Sequence, residues 1–387
     1  MFDLGMDFSS LEETEALGGT FRQNERSGDL VEILSQNGIN AARIRLWANP
    51  FSEEGEPYGA GNCDLACVMR LARRARAKGM RLLLDIHNSD FWCDPGRQLP
   101  PKAWAALGFD TLCERVYEYT RATLLCLKEA GLAPDMVQVG NEITNGMLWP
   151  YGRLTDPEPG KKREGYLGLS RLVNAGCKAV RDSGDAKIML HLERSGDNAV
   201  WREWFDEILA RGADFDVIGA SYYPYWHGNF ENLQNNLNDM IRRYEKDVMV
   251  VETAYAFTSE HFDPSLEGAN LVINDSLKCF DGSDAPYPLS MEGQTAFVRE
   301  LLNLVKNLHG GRGKGVYYWE PAWLPLKGST WATRAARAYM DELHKPGGNE
   351  WANQCIFDYH GNANAALLEF KRFALSCGKE EKTYLRR

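Results

Sequence analysis

Eight short apolar runs alternate along the chain with segments in which apolar residues recur every three or four positions. The runs begin near positions 2, 42, 80, 136, 187, 215, 248 and 315, and they have the β-branched or alternating character of strands. The intervening segments have helical spacing. Alternating strands and helices predict parallel strands, and eight such units predict an α/β fold that is a single closed (β/α)8 TIM barrel.

The pattern shows no linker and no break between domains. We therefore predict one domain over residues 1–387, built on the barrel. Residues 324–387 follow the last strand and contain a predicted helix near 363–375. This C-terminal segment is expected to pack on the barrel.

Charge and hydropathy exclude two classes of partner. The formal net charge is −10 and the sequence pI is about 5.4, which disfavours nucleic acid and anionic membranes as binding partners. No stretch of 18 apolar residues is present, so we expect no membrane-spanning helix.

The cysteines bear on the compartment. The chain has nine, an odd number, with no Cys-x-x-Cys pair. They are expected to be mostly buried, reduced thiols, which favours a cytoplasmic protein. The first strand begins at Phe2, so no signal peptide is visible. A secreted protein whose leader has been removed would have the same sequence and is the alternative.

Two glutamates stand where predicted buried strands end. Glu142 follows the run that begins at Met136, with Asn141 beside it, and Glu252 ends the run that begins at Val248. Parallel α/β folds place their chemistry at the C-terminal ends of strands. One such glutamate alone could simply cap the next helix. A pair of glutamates, in a chain with 11 Trp and 16 Tyr, favours hydrolysis of a glycosidic bond.

Several motifs make the chain resemble a known family across nearly its whole length. The motifs are Gly5–Ser9, Arg43–Trp47, Gly61–Asp64, Leu84–His87, Asp94–Gly96, Gln138–Glu142, Ser221–Gly228, Val251–Tyr255 and Tyr318–Trp323. Together they resemble the endo-β-1,4-galactanases of glycoside hydrolase family 53, in the barrel clan of retaining glycosidases.

The resemblance implies a role for each of four residues. Glu142 would be the general acid/base, and Glu252 the nucleophile that forms a glycosyl-enzyme intermediate. Asn141 would hydrogen-bond the sugar 2-hydroxyl, and Trp319 would be the platform under the cleaved sugar. The substrate would be β-1,4-galactan, or arabinogalactan type I, or galacto-oligosaccharides derived from it.

Chemical reasoning supports the division of labour between the two glutamates. The acid must keep its proton near neutral pH, whereas the nucleophile must stay ionised and so needs donors nearby. Arg45 is expected to point inward and supply positive charge to Glu252, although an ordinary ion pair at the barrel rim is the alternative. Tyr223 is expected to donate a hydrogen bond to Glu252, or else to be a packed rim tyrosine.

Three more polar residues are candidates for the site. His87 and His191 end the third and fifth strands, where they would be hydrogen-bonding site residues or structural histidines. They lack the partners of a zinc site, so we predict no metal and no cofactor. Asp85 is expected to hold loops together. The aromatic residues Trp92, Trp226 and Trp323 are expected to stack on further sugar units, with core packing as the alternative.

The chain departs from the family pattern in three places. Residues 258–268 lack the oxygen-ligand run of the calcium site found in bacterial family members. Asn88 replaces a usual tyrosine, and the fifth-strand motif continues as Glu193–Gly196. These changes face the substrate side and leave the preferred chain length open.

Three functions are compatible with the residues. The first is a retaining endo-β-1,4-galactanase, for which the two carboxyl groups should be about 5–5.5 Å apart. The second keeps the chemistry but acts on another β-glycan, such as mannan, or on short galacto-oligosaccharides. The third is a non-catalytic sugar-binding barrel, which the presence of both glutamates disfavours.

Overall fold

The computed structural model describes residues 2–155, 160–279 and 282–384, and the last three residues of the expected C-terminal segment lie outside it. Eight parallel strands, labelled β1 to β8, close into a barrel. Their bounds are Asp3–Asp7, Ala41–Leu46, Arg81–Ile86, Met136–Val139, Lys187–Leu192, Val217–Ser221, Asp247–Glu252 and Gly313–Trp319. The sequence prediction of a single (β/α)8 barrel is confirmed.

Each strand pairs with its neighbours in sequence, and β1 closes the barrel by pairing with both β2 and β8. Ten α-helices, labelled α1 to α10, lie in the described ranges of the chain. Their bounds are Leu11–Ala16, Leu30–Gln36, Leu65–Ala77, Phe109–Glu129, Lys161–Ser183, Asn198–Leu209, Phe230–Tyr244, Met291–Lys306, Arg334–Tyr339 and Ala366–Tyr384.

Side-chain caps mark where several helices begin. Asp29, Asp64 and Ser290 each accept a hydrogen bond from a backbone amide in the first turn of α2, α3 and α8, respectively. Asn229 and Asn232 form a reciprocal capping box at the start of α7. These caps define the points at which the chain leaves the barrel mouth and enters the outer ring of helices.

The core has two layers, as expected for this barrel. Inside the barrel, a small cluster includes Leu83, Met189, Val217, Met249 and Tyr317. A much larger cluster fills the space between the strands and the helices. No helix among the described residues is long and apolar enough to cross a bilayer.

Long connections at the C-terminal ends of β3, β7 and β8 surround the barrel mouth. The described residues between β7 and α8 contain neither helix nor strand. After β8 the chain forms α9 and α10, and α10 contributes the buried side chains of Leu367 and Phe370 to the main core. Arg299 of α8 pairs with Glu369 of α10 at 2.9 Å.

Candidate active site

Glu142 and Glu252 lie together at the mouth of the barrel. Glu252 is the last residue of β7, and Glu142 follows the end of β4 in a left-handed conformation with φ of 49°. One carboxylate oxygen of each lies within 4.8 Å of the other, and the two residues are 9% and 8% exposed. That separation lies below the roughly 6.5–9.5 Å that an inverting enzyme needs to admit a water between its carboxyl groups.

Glu252 is surrounded by groups that favour its charge. Arg43 Nη1 lies 3.1 Å from Oε2, and the hydroxyl of Tyr223 donates a hydrogen bond of 3.1 Å to Oε1. The hydrogen bond predicted from Tyr223 is therefore present. Burial raises the pKa of Glu252 to about 7, while Arg43 and Tyr223 lower it and so limit the rise.

Glu142 has the opposite environment. Its Oε1 accepts a hydrogen bond of 2.6 Å from Ser221 Oγ, and no cation pairs with it among the described residues. Burial raises the pKa of Glu142 well above its ordinary value, and the charges of Glu252 and Glu193 raise it further. The last proton shared by the two carboxyl groups therefore resides on Glu142, and the charge on Glu252.

The expectation that Arg45 supplies positive charge to Glu252 is wrong, because Arg43 occupies that position. Register explains the difference: Arg43 pairs with Asp7, and Asp7 pairs with Trp319. This row reaches β7 just beyond Glu252, because Val250 pairs with Val316 and Trp319 is therefore level with Thr253. Arg45 stands two residues further along β2 and rises beyond the end of β7.

Arg43 was missed as a site residue although it stands on the same strand face as Arg45. It is 1% exposed, and its Nη1 lies 2.8 Å from Asp7 Oδ2. Its Nη2 lies 2.9 Å from Asp85 Oδ2 and donates a hydrogen bond of 2.8 Å to Asn141 Oδ1. The guanidinium of Arg43 thus contacts both Glu252 and the amide of Asn141 and holds them in fixed positions relative to each other. The alternation of residues along β2 places both Arg43 and Arg45 on the inner face of the barrel. Only the stagger between neighbouring strands decides which of the two lies beside Glu252.

Arg45 forms an ion pair instead, which is the alternative given for it in the sequence analysis. Its Nη1 pairs with Glu320, its Nη2 donates to the carbonyl of Ala60, and both charged side chains are 1% exposed. The guanidinium carbon lies 4.5 Å from the centre of a ring of Trp92. Arg45 thus supports an aromatic wall of the cleft.

Asp85, His87 and His191 form the polar floor beside Asn141. Asp85 Oδ2 lies 3.0 Å from Nε2 of His87. The other ring nitrogen of His87, Nδ1, accepts a hydrogen bond of 3.3 Å from the indole of Trp47. Asp85 therefore contacts both Arg43 and His87, rather than joining loops alone. These two contacts of His87 hold its ring in one orientation, with Nδ1 accepting and Nε2 facing Asp85.

His191 lies between the two halves of the site. Its Nδ1 is 3.0 Å from Asn141 Oδ1 and its Nε2 is 2.9 Å from Ser221 Oγ. Burial and the charge of Arg43 lower the pKa of His191 well below its ordinary value, so the ring is neutral. Donor atoms of Glu142, His191 and Glu252 fall within 4.8 Å of one another, but both ring nitrogens already have partners, a poor arrangement for a metal ligand.

A cleft of about 680 Å³ opens from the glutamate pair and is walled by aromatic residues. Trp92 and Trp319 are half-buried, with ring centres 6.0 Å apart. Trp226 is 37% exposed, whereas Trp323 is only 2% exposed and meets the cleft while packed in the core. Trp323 is therefore a core-packing residue, which was the alternative to stacking on a sugar.

Sequence reasoning missed two aromatic residues of the cleft, Trp331 and Trp351, which both come from the C-terminal segment. The ring centre of Trp351 lies 5.2 Å from that of Trp319 at 89° and 5.8 Å from that of Trp226 at 30°. Trp351 therefore links a tryptophan that ends β8 to one that follows β6. A tryptophan more than 25 residues beyond the last strand gives no signal of this role, because only the return of the segment places it there.

A second hollow, of about 850 Å³, lies at the N-terminal ends of the strands. Its charged side chains include two ion pairs, Arg81 with Asp3, and Lys187 with Asp247 at 3.7 Å. It contains no glutamate pair among the described residues. The chemistry therefore belongs to the opposite, C-terminal face.

Comparison with known proteins agrees with this geometry. The chain is 40% identical over 385 residues to a Niallia circulans protein described as lying in the bgaB 5′ region, covering 99% of this chain and 95% of that protein. It is 36% identical over 390 residues to the endo-beta-1,4-galactanase of Bacillus subtilis strain 168, covering 96% of this chain and 85% of that enzyme.

A solved structure agrees as well. The Ignisphaera aggregans GH53 catalytic domain superimposes with a TM-score of 0.82 at 35% identity, and the match covers 96% of each chain. The sequence model of glycosyl hydrolase family 53 matches residues 3–370. The chain therefore belongs to glycosyl hydrolase family 53.

Proposed function

We propose that this protein is a retaining endo-β-1,4-galactanase that hydrolyses β-1,4-galactosidic bonds by double displacement, with Glu252 as nucleophile and Glu142 as acid/base. The observation that carries the proposal is the pair itself. Two buried carboxyl groups stand within 4.8 Å, one beside Arg43 and Tyr223, the other without a cation among the described residues. The cation beside Glu252 favours its ionised form as nucleophile, and the lack of one beside Glu142 in the described part of the chain favours its protonated form as acid.

In the first step a carboxylate oxygen of Glu252 attacks the anomeric carbon, and the bond from that carbon to the leaving oxygen breaks. Glu142 gives its proton to the leaving oxygen, so the departing sugar leaves as an alcohol. In the second step Glu142, now ionised, takes a proton from water. The water oxygen attacks the anomeric carbon, which releases the carboxylate of Glu252 and restores the starting state.

Asn141 supports both steps. Its Oδ1 accepts from Arg43, and its Nδ2 donates a hydrogen bond of 2.9 Å to the carbonyl of Cys93. The amide is thus held rigidly beside the pair. We assign to it the hydrogen bond to the sugar 2-hydroxyl, an interaction that strengthens in the transition state.

Two observations support galactan as the substrate. The Bacillus subtilis relative is named an endo-beta-1,4-galactanase, and the cleft walls are aromatic, as stacking on sugar rings requires. A panel of galactan, arabinogalactan, mannan and cellulose, followed by release of reducing ends, tests this assignment. Galactan and arabinogalactan should be cleaved, and preferential cleavage of mannan would support the alternative β-glycan substrate.

Stereochemistry tests the mechanism separately from the substrate. Proton NMR of the first product from a galacto-oligosaccharide should show the β-anomer before mutarotation. Early appearance of the α-anomer would mean a single displacement by water and would overturn the roles given to Glu142 and Glu252.

The cysteines support a cytoplasmic location for this activity. All nine lie in the described part of the chain, and seven of them are buried. Free thiols persist in a reducing compartment. Fractionation of the source cells tests the location, and galactanase activity confined to the medium would favour the secreted alternative.

A further inference from the structure

Glu320 is a buried carboxylate that the proposed reaction does not use. It follows Trp319 directly at the end of β8 and is 1% exposed. Its oxygens accept hydrogen bonds from the backbone amide and hydroxyl of Ser10, at 3.1 and 2.5 Å, and pair with Arg45. A buried carboxylate with this many donors is held in one position.

Arg45 carries this constraint toward the cleft. One side of its guanidinium pairs with Glu320, and another nitrogen donates to the carbonyl of Ala60. Its guanidinium carbon lies 4.5 Å from the ring centre of Trp92 and 5.0 Å from that of Trp47. The cation is therefore clamped between a fixed carboxylate and an indole, at 1% exposure, where a cation–π contact is strongest.

Trp92 is the cleft residue at the end of this chain of contacts. It is half-buried, it lines the cleft, and its Nε1 donates a hydrogen bond of 2.9 Å to the carbonyl of Trp331. That bond fixes one edge of the indole, and the rings of Trp47 and Trp319 pack against it with centres 4.9 and 6.0 Å away. The guanidinium of Arg45 adds the one contact of a cation with the ring that is recorded among the described residues.

We propose that Glu320 is a positioning residue of the sugar cleft, which acts through Arg45 to hold the indole of Trp92 in the orientation that meets the sugar. The consequence for sugar binding rests on the proposed function. Without the carboxylate, the buried guanidinium must turn toward another acceptor, and its contact with the ring is lost. Glu320 would then affect substrate affinity without touching the substrate or the reacting atoms.

A double-mutant cycle tests the proposal with Glu320→Gln, Arg45→Met and the double variant. We expect each single variant to raise KM for galacto-oligosaccharides about thirtyfold, the equivalent of a desolvated cation–π contact, with kcat within about twofold. The double variant should be no worse than either single variant, because both changes remove the same contact. Additive effects would overturn the proposed chain of contacts.

A second readout needs no substrate. Acrylamide quenching of tryptophan fluorescence, with the contribution of Trp92 assigned by a Trp92→Phe variant, should increase in Glu320→Gln and in Arg45→Met. If the wild-type protein fails to cleave galactan but this change occurs, the proposed function fails while the positioning of Trp92 stands. Unchanged quenching of Trp92 in both variants overturns the proposal.

Asp90→Asn is the matched control. Asp90 is 1% exposed, pairs with Lys102 at 2.8 Å, and Lys102 lies 4.9 Å from the ring centre of Tyr58, outside the cleft. This variant should lower Tm yet leave KM and the quenching of Trp92 unchanged. If Glu320→Gln behaves in the same way, its role is structural only. If Glu320→Gln does not fold, Arg45→Met carries both readouts alone.

Discussion

At the scale of the residue, we propose two tasks for one amino-acid type because its surroundings differ. Glu252 has an arginine and a tyrosyl hydroxyl within 3.1 Å, whereas Glu142 has a serine hydroxyl. The same carboxyl group is therefore stabilised as an anion in one position and as an acid in the other. The chemistry of the glutamate side chain alone would not give Glu142 and Glu252 different roles.

Removal of each glutamate should have a different result. Glu252→Ala should reduce hydrolysis to background, because no covalent intermediate can form, and added azide should give an α-glycosyl azide. Glu142→Ala should slow galactan cleavage about 10²- to 10⁴-fold but spare the first step on aryl galactosides whose leaving group needs no proton. Product analysis by NMR and burst kinetics measure both. A β-azide from Glu252→Ala would contradict the assignment.

Glu193 should control the pH at which Glu142 loses its proton. It is 3% exposed at the mouth of β5, and its charge raises the pKa of Glu142. Glu193→Gln should therefore lower that pKa and move the alkaline limb of the kcat/KM profile to lower pH. Glu231→Gln, at the exposed start of α7, is the control and should leave the profile unchanged.

The same substitution should change stability with a definite sign. Burial raises the pKa of Glu193 to about 7 in the folded protein. The contribution of Glu193 to the free energy of unfolding is therefore most favourable below the pKa that this residue has in the unfolded state. This contribution is lost as pH rises through about 7. Glu193→Gln should therefore raise Tm relative to the wild type at pH 8 more than at pH 5. A Tm difference that does not change with pH would contradict this account of Glu193.

At the scale of the element, the strands position the chemistry and the long connections enclose it. The row of register from Arg43 through Asp7 to Trp319 crosses three strands and ends just beyond the level of Glu252. The segment after β8 returns to the mouth and supplies Trp331 and Trp351 to the cleft. The site thus depends on strand stagger as much as on residue type.

Gly5 should be essential for the contact between β1 and β8. A Cβ built at Gly5 would lie 2.1 Å from a ring carbon of Tyr317, which is packed inside the barrel. Gly5→Ala should therefore lower the free energy of unfolding by about 1–3 kcal/mol or more. Gly108→Ala is the control, because nothing lies within 4 Å of its Cβ position and its φ is −68°. Urea denaturation should show little change for the control, and equal effects of the two variants would contradict the packing argument.

At the scale of the whole molecule, a single core of apolar side chains joins the barrel, its helices and α10. Among the described residues, the only group of three potential metal donors is Glu142, His191 and Glu252. Both ring nitrogens of His191 are engaged by hydrogen bonds.

Chelation should leave the protein unchanged. The loop after β7 lacks the oxygen-ligand run of the calcium site found in bacterial family members. We therefore expect EDTA to alter neither galactanase activity nor Tm, as measured by calorimetry with and without added calcium. A fall of several degrees that calcium restores would contradict this prediction.

The sequence by itself determined the barrel, the family and the two glutamates. Strand and helix periodicities follow from local side-chain patterns, and Glu142 and Glu252 end strands whose C-terminal ends must meet at one face. Only the tertiary structure decided that Arg43, and not Arg45, stands beside Glu252, and that Trp351 joins the cleft. The reason is physical: stagger between neighbouring strands and the return of a distant segment are long-range properties, which alternation along a single strand does not encode.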